Sequence, residues 1–263
     1  MRQQLSILLS LVVMSGGVAP AIASSTASRS VVTPASSAEA QLAQASRLWQ
    51  QLERTPPPQK QDLIAEAMGN LVIVRKLWPN DKRAVVRSGI MQADLLAEFG
   101  GLPLAINALL EALPAASKTD QEPGVELRLG KAYDQSGNPV EAERHFLNAE
   151  RTMRSSHLNR LESHEILNSV GLFYSRQDNP AEAIQRFHEA QLLQGLDVVA
   201  KANLQLSVVK EAIKLPKEQW TKEFATFDSL IAEGRRTTLS PGDAAAIEDL
   251  QKHATKVREK TKQ

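Results

Sequence analysis

The chain has no cysteine, and aromatic residues make up only 4% of its 263 positions. The first absence excludes disulfide staples, thiol nucleophiles and thiolate metal sites, and also the lipid-attachment cysteine of a bacterial lipoprotein. The second argues against a β-sandwich, which draws on aromatic and β-branched residues. Net charge is lacking too. Its 31 basic residues, less Arg2 in the leader described next, equal the 30 acidic ones. Such balance disfavours general nucleic-acid binding, which rests on many Lys and Arg contacts to phosphate. A long hydrophobic run is also missing. The best candidate, Leu5 to Val13, is broken by Gly16, Gly17 and Pro20, well short of the roughly 20 apolar residues a spanning helix needs.

What that run does resemble is a leader. Arg2 supplies positive charge, the apolar stretch follows, and Ala21-Ile22-Ala23 places small residues where a signal peptidase reads. Residues 1–23 are therefore expected to be a cleavable signal peptide, and the mature protein periplasmic or secreted. Residues 24–37 are mostly Ser, Ala, Thr and Val without amphipathic period, and read as a flexible linker.

From Ala38 onward, apolar residues make up a large part of the chain, many of them Ala and Leu, which favour helix. Breaks fall at Thr55 to Pro58, Pro79 to Asp81, Gly100 to Pro103, Pro114, Pro123-Gly124, Gly137 to Pro139, Asn179-Pro180, Pro216 and Ser240 to Gly242. The fold class expected is all-α. Three breaks also announce the next helix. Asn138-Pro139-Val140-Glu141, Asn179-Pro180-Ala181-Glu182 and Ser240-Pro241-Gly242-Asp243 each offer a cap, a proline for the first turn and an acid three residues on.

Two segments repeat one another. Leu129-Gly130, Tyr133, Ala142, Phe146 and Ala149 recur as Val170-Gly171, Tyr174, Ala183, Phe187 and Ala190 at identical offsets. Small residues opposite large ones are what closely crossing helices need. Ala93, Leu96, Ala105, Leu109 and Ala112 form a weaker copy. This pattern resembles the tetratricopeptide repeat, a helix–turn–helix unit of about 34 residues. Two departures stand out. Glu126 and Leu167 occupy the family's tryptophan position, and the interval from Gly130 to Gly171 is 41 residues. The excess points to a longer second helix or an elaborated junction around Met153 to Asn159.

The resemblance implies a right-handed superhelical solenoid of antiparallel helix pairs over residues 38–236. Residues 237–263 would then be a C-terminal capping helix with a basic tail. It also implies a concave groove lined by first helices, whose partner-binding positions would be Arg87, Asp94, Glu98, Arg128, Lys131, Asp134, Gln135, Glu165, Asn168 and Arg176. Such a protein is a scaffold or adaptor, monomeric on its own, that binds a protein or peptide, possesses no cofactor and catalyses nothing. Envelope assembly, secretion or polysaccharide export is the setting expected of an exported member.

No catalytic constellation competes strongly. His164-Glu165 begins like a zinc-binding H-E-x-x-H helix, but Asn168 stands where the second ligand belongs. No catalytic or metal-binding residue is assigned. His157 with His164 reads as a surface pair. Two alternatives stay open: an envelope enzyme using paired acids (Glu162 with Glu165, or Asp94 with Glu98), and a membrane-surface accessory protein using Lys252, Lys256, Arg258, Lys260 and Lys262.

Overall fold

The computed structural model describes residues 32–261 apart from 53, 100, 157 and 194. The leader and most of the linker thus lie outside the described residues, as does His157. Among the described residues there are eleven α-helices and no strand. They are α1 (Ala38–Leu52), α2 (Pro57–Leu77), α3 (Lys82–Glu98), α4 (Leu102–Ala116), α5 (Glu122–Gln135) and α6 (Pro139–Ser155). They continue with α7 (Arg160–Arg176), α8 (Pro180–Gln191), α9 (Val198–Ala212), α10 (Lys217–Arg236) and α11 (Pro241–Lys260). None is long and apolar enough to cross a membrane.

Helix starts follow local chemistry. The side chains of Asn138, Asn179 and Ser240 accept from the amides of Glu141, Glu182 and Asp243 at 3.3, 3.4 and 3.2 Å. Each satisfies a donor that the first helical turn leaves free. Helix ends repeat as well. Gly137 and Asp178 both take positive φ, 77° and 54°. The next amides, of Asn138 and Asn179, donate back to the carbonyls of Tyr133 and Tyr174 at 2.9 and 3.0 Å.

One expected break is absent. Pro114 lies inside α4, which runs on to Ala116. It sits in the last turn with its ring exposed, where a missing amide costs a single intrahelical bond. The junction anticipated around Met153 to Asn159 takes both forms: α6 is 17 residues against 12 for α8, and Asn159 caps α7. Asn159 and Glu162 form a complete reciprocal capping box. The end of the linker is held in place. Val32 packs against Gly69, and the Ala35 amide donates to Gln41 Oε1 at 2.6 Å.

The chain forms two compact units that divide between Ala142 and Glu143, within α6. In the first, α1 packs on α2 and α3 on α4, and α1, α3 and α5 touch in succession. Ala93, Leu96, Ala105, Leu109 and Ala112 are all buried there. Gly89 allows the closest crossing, since a Cβ added to it would lie 2.5 Å from that of Ala112. In the second unit α7 pairs with α8 and α9 with α10. Phe146, Ala149, Tyr174, Ala183, Phe187 and Ala190 are buried as the repeat requires. Helix α11 closes this unit: Ile247, Leu250, Ala254 and Val257 form one stripe over Ala202, Leu206, Val209, Phe224 and Phe227.

Candidate functional site

First helices carry the positions of interest. In the first unit four predicted residues bind each other's neighbours. Arg87 on α3 donates to both carboxylate oxygens of Glu39 on α1, at 2.7 and 2.6 Å. Trp49 Nε1 on α1 donates to Glu98 at 3.3 Å, and Arg128 Nε on α5 donates to Asp94 at 3.2 Å. Successive first helices are thus tied by ion pairs that remain partly exposed, each worth at most about 1 kcal/mol. A ligand could exchange them at small cost. Lys131 and Asp134 are half-buried and already engaged within the fold, while Gln135 is exposed at the end of α5.

The second unit offers a different surface. Glu165 and Asn168 share one face of α7 with Leu161 and Leu172, at helical spacing. Both leucines are exposed, by 75% and 39%, so the face is apolar as well as polar. Arg176 is exposed in the last turn. Ser175 on α7 donates to Glu211 on α9 at 2.5 Å. Buried Val170, Phe173 and Tyr174 match buried Val208, Glu211 and Ala212 at one constant offset along the chain. In that register Asn203, Leu206 and Lys210 of α9 stand where Glu165, Asn168 and Leu172 stand on α7.

These α9 residues face a cleft of about 600 Å³ against α11. Its floor includes Val199, Leu206, Ala246 and Leu250, and its polar rim includes Asp197, Asn203, Lys210, Asp243, Asp249 and His253. Sequence reasoning assigned none of these to a site, because α11 was expected only to cover an apolar face. The legible signal was the spacing of Asn203, Leu206 and Lys210 on a helix that follows a clear repeat.

Chemistry of another kind has little support in the geometry. Glu162 is committed to the capping box of α7 and Asp94 to Arg128, so neither acid pair converges on open space. His164 is half-buried rather than fully exposed: burial lowers its pKa, and its Nε2 is enclosed without a hydrogen-bond partner. Among the described residues no group of three or more His, Cys, Asp or Glu is arranged to hold a metal ion.

No family model matches the chain, and no curated protein does. Solved structures do. A crystal structure from Podosopora anserina, described as a kinesin light chain with nearly identical TPR-like repeats, aligns over 73% of this chain and 99% of its own at 15% identity, with a TM-score of 0.51. A variant of it aligns over 73% and 98%, also at 15% identity and 0.51. BtubC (BKLC) from P. vanneervenii aligns over 79% of this chain and 96% of its own, at 16% identity and 0.49. With its repeated turns, capped helix pairs and small-on-large crossings, the chain has the fold of a tetratricopeptide-like repeat protein, an all-α helical array.

Proposed function

We propose that this protein is a non-catalytic scaffold that binds segments of other proteins on the exposed faces of its first helices. The observation that carries this reading is the α9–α11 cleft, continuous in helical register with the exposed leucines of α7. Exposed apolar side chains beside convergent polar groups are what a partner surface needs. The paired charges of α1, α3 and α5 form a second, polar face suited to hydrogen-bonded contacts. The leader expected at residues 1–23 supports work outside the cytoplasm, in the envelope of a Gram-negative cell, where assembly, secretion or polysaccharide export requires adaptors.

The test is affinity capture from the protein's own envelope, quantified by mass spectrometry. Wild type is compared with Lys131→Ala/Gln135→Ala, with Leu161→Ser/Leu172→Ser and with Ala246→Arg in the cleft, all verified as helical. Partners that any of these variants loses support the reading; a set of partners unchanged by all three removes it. Export is tested separately by sequencing the amino terminus of the extracted protein, which should begin at Ser24.

A further inference from the structure

We propose that the cleft between α9 and α11 receives a short partner segment with an apolar centre and lysine or arginine at one end. The assignment rests on the scaffold reading and names the class of segment one of its faces selects.

The cleft is directional. Helix α10 runs antiparallel to both its walls: Gln205 Nε2 donates to the Glu223 carbonyl at 3.0 Å, and Arg258 on α11 pairs with Asp228. A Cβ at Gly234 would meet Ile247 near the start of α11 and Val198 at the start of α9. Helices α9 and α11 are therefore parallel, and their amino-terminal ends lie together. Asp197 and Asp243 both line the cleft at that end.

A backbone amide orients Asp197 and a serine hydroxyl orients Asp243. Asp197 accepts from the Ala200 amide at 2.7 Å, and Asp243 accepts from Ser240 Oγ at 2.7 Å. Among the described residues no cation pairs with either. Asp249 does not add to this charge, because Lys252 pairs with it at 3.0 Å. Lys210 lies toward the opposite end of the α9 wall, also without an ion-pair partner among the described residues. Between the ends are Leu206, Leu250 and Ala246. From Asp197 to Lys210 the helix rises about 20 Å, the span of about six extended residues. An apolar segment could cover the floor, with its basic end at the two aspartates and an acidic group or chain terminus at Lys210. Like charges placed in the reverse order would repel at both ends.

The experiment is a peptide-display selection on the purified full-length protein, followed by fluorescence anisotropy with the enriched peptides resynthesised. Enriched sequences should carry Lys or Arg on one side of an apolar run. Asp197→Asn/Asp243→Asn, which keeps both hydrogen-bond acceptors, should weaken them about tenfold and reduce their salt dependence. Ala246→Arg, which fills the cleft, should abolish binding, with circular dichroism unchanged. Acid-biased sequences, or binding indifferent to Ala246→Arg, overturn the assignment. Peptides that respond instead to Lys131→Ala/Gln135→Ala overturn it while leaving the scaffold reading intact. A selection that enriches nothing removes both.

Discussion

Gly171 and Phe187 approach so closely that a single methyl group has no room between them. A Cβ at residue 171 would lie 2.6 Å from Cε1 and 2.8 Å from Cδ1 of the buried ring. Gly171→Ala should therefore destabilise the protein by about 1–3 kcal/mol, although alanine is the better helix former. Gly124→Ala is the matched control. Only the flexible end of Arg128 lies near that position, at 3.7 Å. It should be neutral or stabilising by up to about 1 kcal/mol. Thermal denaturation of both variants checks the pair; a raised melting temperature for Gly171→Ala would contradict the close crossing.

The turns after α5 and α7 make the same left-handed bend with different residues. Gly137 has open space where a Cβ would go, so Gly137→Ala isolates the conformational penalty of positive φ, about 1 kcal/mol of lost stability. Asp178 already bears that penalty. Its compensation is a hydrogen bond from Lys214 at 3.1 Å, on an exposed surface where such pairs contribute little. Asp178→Gly should accordingly leave stability unchanged or raise it by a few tenths of a kcal/mol. Urea denaturation resolves the opposite signs, and a clear loss on Asp178→Gly would show that the Lys214 contact matters more than the backbone.

Local rules carried most of the fold. Asn138, Asn179 and Ser240 could be read as caps because each acts on an amide three residues away. Phe146 and Phe187 could be read as core because their spacing from small residues recurs. The close crossing at Gly89 was hidden, since it falls one turn before Ala93, which holds the glycine place in the repeat. Pro114 misled because its cost depends on its distance from the helix end. The candidate site was far less legible. That Arg87 would be paired with Glu39, 48 residues earlier, is a property of neighbouring helices and of no local pattern. The α9–α11 cleft depends likewise on how the last helix is seated.

Arg186 and Glu150 form a buried pair between α8 and α6, with Nε donating at 2.7 Å and side-chain exposures of 12% and 7%. The guanidinium also bonds Glu182 at 3.0 Å and lies 5.7 Å from the centre of the Tyr174 ring. Removing Arg186 strands Glu150, whereas removing Glu150 leaves the guanidinium its bond to Glu182. Arg186→Met alone should cost about 3–5 kcal/mol and Glu150→Leu less, and adding Glu150→Leu to Arg186→Met should recover most of the larger loss. A double-mutant cycle by chemical denaturation measures the difference. Additive losses would mean that the two side chains contribute independently.

His164 gives the second unit a dependence on acid. Burial lowers its pKa, opposed by the nearby Glu165 carboxylate, and Nε2 is enclosed without a partner to take up a proton. The unfolded chain therefore binds a proton here at a higher pH than the folded one does. Stability is unaffected well above about 6.5, the ordinary histidine value, and falls as pH drops from there through the lowered folded value. Below that point the contribution is lost in full and no further decline comes from this group. His164→Asn carries no titrating ring, so its stability should fall less than wild type between pH 7 and pH 5. Parallel pH profiles of the two proteins would sink the assignment, because the decline would then belong to the carboxylates elsewhere on the surface.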